Sequence, residues 1–171
     1  MRKFVKIDSY YIPVENIICG FSMKAYPRPI QNLIKEKKKD EQTANMKSLY
    51  STNTVLLLQD GQILQVELSF NTTLKRLDAI NSDFVAVDKG CFVRHDKIAL
   101  IEKYDKKELT AAVKNKLSYI KLSGRFAPAC IIFLSTDLAI GVKHLPSYVL
   151  NLIMQKQQEE EKKGNKCLTE E

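Results

Sequence analysis

Phe4-Val5-Lys6-Ile7-Asp8 is followed, 80 positions on, by Phe84-Val85-Ala86-Val87-Asp88. Self-similarity at a fixed spacing marks a duplicated unit, and it outranks any local reading of the segments involved. The register continues outward. Ile12 falls on Phe92, Asn16 on Asp96, Ile18 on Ile98 and Phe21 on Ile101. One slip later, Ile30, Leu33 and Ile34 meet Leu109, Ala112 and Val113 at an offset of 79, and residues 54–77 then run beside 129–152 at 75. Three segments agreeing in the same order predict two tandem copies, over 1–80 and 81–153, with a polar tail at 154–171.

The periods inside each copy supply its content. Phe4, Val5 and Ile7, then Ile12, Val14 and Ile17 to Phe21, are short β-branched and aromatic runs broken at Ser9-Tyr10, which predicts a hairpin. From Pro29 to Lys38 the apolar residues Ile30, Leu33 and Ile34 take helical spacing behind two prolines suited to a first turn. The matching stretch, Asp105 to Leu117, opens on an Asp with Glu108 three positions on, a capping pattern. Val55 to Leu58, Asp60-Gly61 and Ile63 to Leu68 read as strand, turn and strand. Cys130 to Phe133 and Leu138 to Val142 repeat that arrangement. Each copy closes on an amphipathic helix, through Leu74 and Leu77 in one and Tyr148, Val149, Leu152 and Ile153 in the other. The fold expected is α+β, two ββαββα units packed together because a linker near 78–83 is too short to separate them. The tail is expected to be helical or disordered.

Composition bounds the function. With 44% hydrophobic and 27% charged residues, the 171-residue chain belongs with globular proteins. No run approaches the ~18 apolar residues of a membrane span, and the N-terminus lacks the apolar segment of a secretory signal, so a cytoplasmic protein without membrane association is expected. The net charge of +7 divides as +4, +4 and −1 over 1–80, 81–153 and 154–171; the basic excess lies in the folded part and favours an anionic partner.

Chemistry is sparse. Cys19, Cys91, Cys130 and Cys167 stand singly, and His95 and His144 have no second ligand at a useful spacing, so neither a disulfide framework nor a metal site is expected. His95 beside Asp96 is the nearest approach to a catalytic dyad, but neighbours on a strand point to opposite faces, and a surface histidine is the better reading. The glycines form no phosphate-binding loop. No enzyme activity and no cofactor are expected. What stands out is Lys121, Gly124 and Arg125 ahead of Ala127-Pro128: glycine lets the backbone approach a phosphate while the guanidinium forks onto it. The cluster Lys35, Lys37, Lys38 and Lys39 suits a solvated helix end.

Phe84-Val85-Ala86-Val87 with Gly90, Val93, Asp96-Lys97-Ile98 and Ile101 resembles the opening of the RemA family of bacterial regulators. Gly124-Arg125 with Ala129-Cys130-Ile131-Ile132, Ser135 and Leu138-Ala139-Ile140 is similar to that family's Gly-Arg-Arg loop and the strands after it, and Pro29 to Ile34 looks like its helix opening. The resemblance covers nearly the whole chain, once per copy, without the tail. It implies a DNA-binding transcriptional regulator that assembles into ring-like homo-oligomers. The family's basic positions carry over to Lys97 and Arg125, with Lys121 beside them; its second loop arginine is Phe126 here. In the first copy the same positions fall at Ile17 and within Leu49 to Asn53, without a basic residue. The second copy is therefore the expected contact with double-stranded DNA, and the first a structural partner. An assembly protein that has lost DNA binding is the competing reading, and RNA remains open because phosphate contacts do not separate the two nucleic acids.

Overall fold

The structure is a computed structural model and describes residues 1–23, 51–81, 83–105, 128–135 and 138–169. The chain opens with strands β1 (Phe4–Ile7) and β2 (Tyr10–Pro13), paired antiparallel as a hairpin. Its turn places Asp8 at φ 53°, a left-handed conformation that Asp tolerates better than most residues. The Asp8 carboxylate accepts hydrogen bonds from the backbone N–H groups of Glu67 and Leu68 at 2.8 and 3.2 Å, tying the hairpin to the far end of the first half.

A 3-10 turn, Val14–Asn16, leads into β3 (Ile17–Ser22). Strands β4 (Thr54–Leu58) and β5 (Ile63–Val66) follow, then helix α1 (Phe70–Ile80). Ser69 caps α1, its hydroxyl accepting from the Thr72 N–H. The second half continues with β6 (Phe84–Asp88), β7 (Cys91–Arg94), a 3-10 turn at His95–Lys97, β8 (Ile98–Lys103), β9 (Cys130–Leu134), β10 (Ala139–Val142) and α2 (Pro146–Thr169).

Among the described residues all strand pairing is antiparallel. Beside the β1–β2 hairpin stand a five-stranded sheet in the order β5-β4-β3-β7-β6 and a three-stranded sheet in the order β10-β9-β8. The larger sheet draws on both halves: β3 pairs with β7 through Cys19–Val93, Gly20–Phe92 and Phe21–Cys91, and the Ser22 N–H extends the junction to the Gly90 carbonyl at 2.8 Å.

This sheet separates two cores. On one side Leu56, Phe84 and Phe92 pack with Val5, Ile7 and Ile12 of the hairpin and Leu77 of α1. On the other, Cys19, Leu57, Val85 and Val93 pack with Ile132, Ile140 and Val142 of the smaller sheet and Val149 of α2. Alternation of side chains along each strand makes both faces available to one sheet. Gly20 permits the closest approach: a Cβ there would lie 2.5 Å from Phe92 Cε1 and closer still to Cζ, with Leu56 Cδ2 at 3.0 Å.

The mixed α and β content agrees with the sequence reading, with differences in detail. The apolar residues from Ile12 to Phe21 form two strands separated by a 3-10 turn, so each half opens with three strands where a hairpin was expected. The hairpin turn falls at Asp8-Ser9. Helix α1 runs to Ile80, shortening the connection to β6. The tail continues α2 through Thr169. The helices expected over 29–38 and 105–117 lie outside the described residues, apart from Asp105.

Candidate nucleic-acid interface

Of the three residues singled out for DNA contact, Lys121 and Arg125 lie outside the described residues, as does the cluster at 35–39. Lys97 closes the 3-10 turn between β7 and β8 and is half-buried. Its carbonyl accepts the Ser135 N–H at 2.9 Å, which fixes the turn against the end of β9. The position of Lys97 is thus set by backbone pairing, while its ammonium adds to the field on Asp96.

The neighbouring cation is bound up within the fold. Arg94, on β7, is buried, and its guanidinium forks onto Asp96 with two contacts of 2.7 Å. Its remaining nitrogen donates to the Glu15 carbonyl at 2.6 Å, bridging the 3-10 turns of the two halves. The Arg94 hydrogen bond holds the Asp96 carboxyl below its ordinary range against the opposing effect of burial. Hydrogen bonding to Asp96 likewise raises Arg94. A planar fork suits such a bidentate site in a way that lysine does not.

Other described cations also meet partners inside the chain. Arg2 pairs with Glu15, and Lys156 holds Asp78 at 3.2 Å. Arg76 donates to the Lys6 carbonyl at 2.9 Å. The Lys6 ammonium lies 5.6 Å from the centre of the Tyr11 ring.

His95 departs from its expected surface setting. Its side chain is only 12% exposed and lies 3.6 Å from Asp83 Oδ1, while Asp96 turns to Arg94 instead. The residue sits in a 3-10 turn, so the alternation rule for strands does not govern it. Arg94 was not legible as a structural cation, because its carbonyl partners lie about eighty residues away; the one local sign was Asp96 two positions on. Cys19, Cys91 and Cys130 are free and buried. Burial raises all three thiols, that of Cys130 to about 11.

No helix among the described residues is long and apolar enough to cross a membrane. Comparison with protein-family models, with curated proteins and with solved structures finds no match to this chain.

Proposed function

We propose that the chain is a tandem-duplicated DNA-binding regulator of the RemA type, which assembles head to tail through its own sheet edges and meets DNA through Lys97, Lys121 and Arg125. The duplication reading is supported by hydrogen bonds that recur between the halves. Val14 N–H to Lys3 carbonyl has its counterpart in His95 to Asp83, Gln59 to Asn16 in Ser135 to Lys97, and Met23 to Asn53 in Tyr104 to Ala129. Asp8 accepting from Glu67 N–H is matched by Asp88 accepting from Lys143 N–H at 2.9 Å.

These pairs set the later offsets at 81 and 76 positions, as in Asn16 to Lys97 and Gln59 to Ser135. Each is one more than the sequence alignment. For the first, the offset passes from 80 at Asp8 and Asp88 to 81 at Tyr10 and Cys91, across a hairpin whose pairing is irregular between Ala86 and Asp88 in β6 and regular in β1. On this register the counterpart of Lys97 is Asn16 instead of Ile17, still without charge.

The observation that carries assembly is the β3–β7 pairing. By the same register, β2 stands where β7 stands and β8 where β3 stands, and among the described residues each of these two strands has one strand neighbour. Phe92 and Cys19 are fully buried in the internal joint, whereas their counterparts Tyr11 and Leu100 are 67% and 54% exposed. Pairing β8 of one chain with β2 of the next would set Leu100 opposite Ile12 and Ile101 opposite Tyr11, repeating the internal joint between chains. Such a joint uses two different surfaces, so repetition gives a ring if it closes and a filament if it does not.

Assembly multiplies weak phosphate contacts, which gives affinity without a dense basic patch on any one unit. The three buried thiols, none in a disulfide, suit a reducing cytoplasm. The test is duplex binding at low and high salt for the wild type, Lys97→Ala and Arg125→Ala. The proposal expects both variants to bind more weakly and with a shallower salt dependence. Undiminished binding by both would remove the proposed contact. No binding by the wild type would favour assembly without DNA recognition, a reading that the commitment of Arg94 to Asp96 supports.

A further inference from the structure

Asp83 and His95 are cross-strand neighbours just beyond the Phe84–Arg94 pair of β6 and β7, and the His95 N–H donates to the Asp83 carbonyl at 2.9 Å. Their side chains therefore leave the same end of the hairpin. Glu160 reaches that end from α2, one turn after Lys156, whose ammonium holds Asp78 of α1. Glu159 and Glu161 are exposed, and Glu160 alone of the three consecutive glutamates turns toward the fold. One ligand-capable atom from each of Asp83, His95 and Glu160 lies within 4.8 Å of the other two.

The second observation is polar satisfaction. His95 Nε2 and Glu160 Oε1 are both sealed from solvent, and neither has a hydrogen-bond partner. Buried polar atoms are almost always paired, because leaving water without a new partner is costly. An imidazole nitrogen and a carboxylate oxygen left unpaired beside a second carboxylate present three lone pairs to one small volume. A cation there satisfies all three together, whereas a proton on Nε2, which lies 3.6 Å from Asp83 Oδ1, lets the imidazole donate to one carboxylate and leaves the other without a partner.

We propose that Asp83, His95 and Glu160 bind one divalent transition-metal ion of the zinc type, which fastens the polar extension of α2 onto the β6–β7 hairpin. The donor set of one imidazole and two carboxylates suits zinc with a fourth position left for water. The imidazole disfavours magnesium and calcium, which take oxygen ligands. Ligand bonds of about 2.0–2.2 Å require the three atoms to draw together by about an ångström, within the reach of two long side chains. Among the described residues the first half offers no such site, since Lys3 and Val14 stand in the places of Asp83 and His95. The inference does not depend on DNA binding.

The test uses the full chain stripped of metal, with Cys167 replaced by Ser so that this thiol does not compete. Zinc chloride is titrated by calorimetry, and thermal unfolding is followed with zinc and with magnesium. The expected result is one zinc per chain and, at a hundredfold excess over Kd, an unfolding temperature raised by roughly 5–10 °C, with no response to magnesium. Glu160→Gln keeps the shape of the side chain on a polar helix and should weaken zinc binding at least tenfold. His95→Gln should abolish it, with circular dichroism confirming that both variants fold. Zinc binding unchanged in Glu160→Gln, no binding to the parent protein, or an equal response to magnesium would each overturn the site.

Discussion

Replacing Gly20 with alanine places a methyl group where the Phe92 ring already lies, because a Cβ there comes within 2.5 Å of Cε1 and nearer to Cζ. The ring has little room to yield. Phe92 is fully buried, Phe84 meets it edge-on at 5.6 Å between centroids, and Phe70 lies against it at 5.4 Å. Overpacking of this kind costs about 1–3 kcal/mol. For a chain of this length each kilocalorie lowers the unfolding temperature by about 2–4 °C, so Gly20→Ala should unfold roughly 2–12 °C below the wild type.

The sign is informative, because glycine to alanine at an unstrained and uncrowded strand position stabilises by about 0.4–1 kcal/mol. A double-mutant cycle with Phe92→Leu, followed by thermal and urea unfolding, isolates the clash: leucine leaves room for the methyl, so the double mutant should lose less than the sum of the two single changes. Gly20→Ala unfolding at or above the wild-type temperature would show that the ring does not cover Gly20 and that the β3–β7 register is wrong.

The Arg94–Asp96 pair makes stability sensitive to acid. The folded carboxyl titrates below its ordinary value of 3.8, so the contribution is complete above that value and is lost as pH falls through the lower, folded one. Because Asp96 is substantially exposed, solvent screening limits the effect to no more than about 1 kcal/mol. Urea midpoints should fall more steeply below about pH 4 in the wild type than in Asp96→Asn; parallel curves would count against the pair. Burial of Cys19, Cys91 and Cys130 predicts that at pH 8 these thiols react with an aromatic disulfide only as fast as the chain opens. Fast labelling of any of the three in native protein would contradict their placement.

Local order was legible where a single segment determines it. The apolar runs at 4–7, 55–58 and 130–133 are strands, Asp60-Gly61 is a turn with Gly61 at φ 83°, and the closing helices follow their hydrophobic spacing. On the proposed duplication the later offsets are one residue longer than the hydrophobic pattern suggests, because an irregularity in strand pairing such as that of β6 leaves no mark in that pattern. The β3–β7 junction was not legible either, because backbone groups make a strand pairing and any strand carries them; Gly20 under the Phe92 ring acquires its meaning only from the register. His95 read as a surface residue because its neighbours in sequence are polar, while the groups around it come from residues 83 and 160. Glu160 was hidden in a polar run where only the helical phase separates an inward side chain from its exposed neighbours. For the proposed DNA contact, Lys97 is placed by its turn, while Lys121 and Arg125 lie outside the described residues and rest on the sequence alone.

Assembly through β2 and β8 is tested most directly by solution mass from light scattering, measured across a dilution series for the wild type and for Leu100→Lys and Tyr11→Lys. These side chains are exposed in the isolated chain, so the charge should leave folding intact, as circular dichroism would verify, and act only where the edges meet. The account predicts a multiple of the 19.6 kDa chain mass for the wild type and the single-chain mass for either variant. A wild type that remains a single chain at every concentration, or variants that assemble as the wild type does, would contradict it.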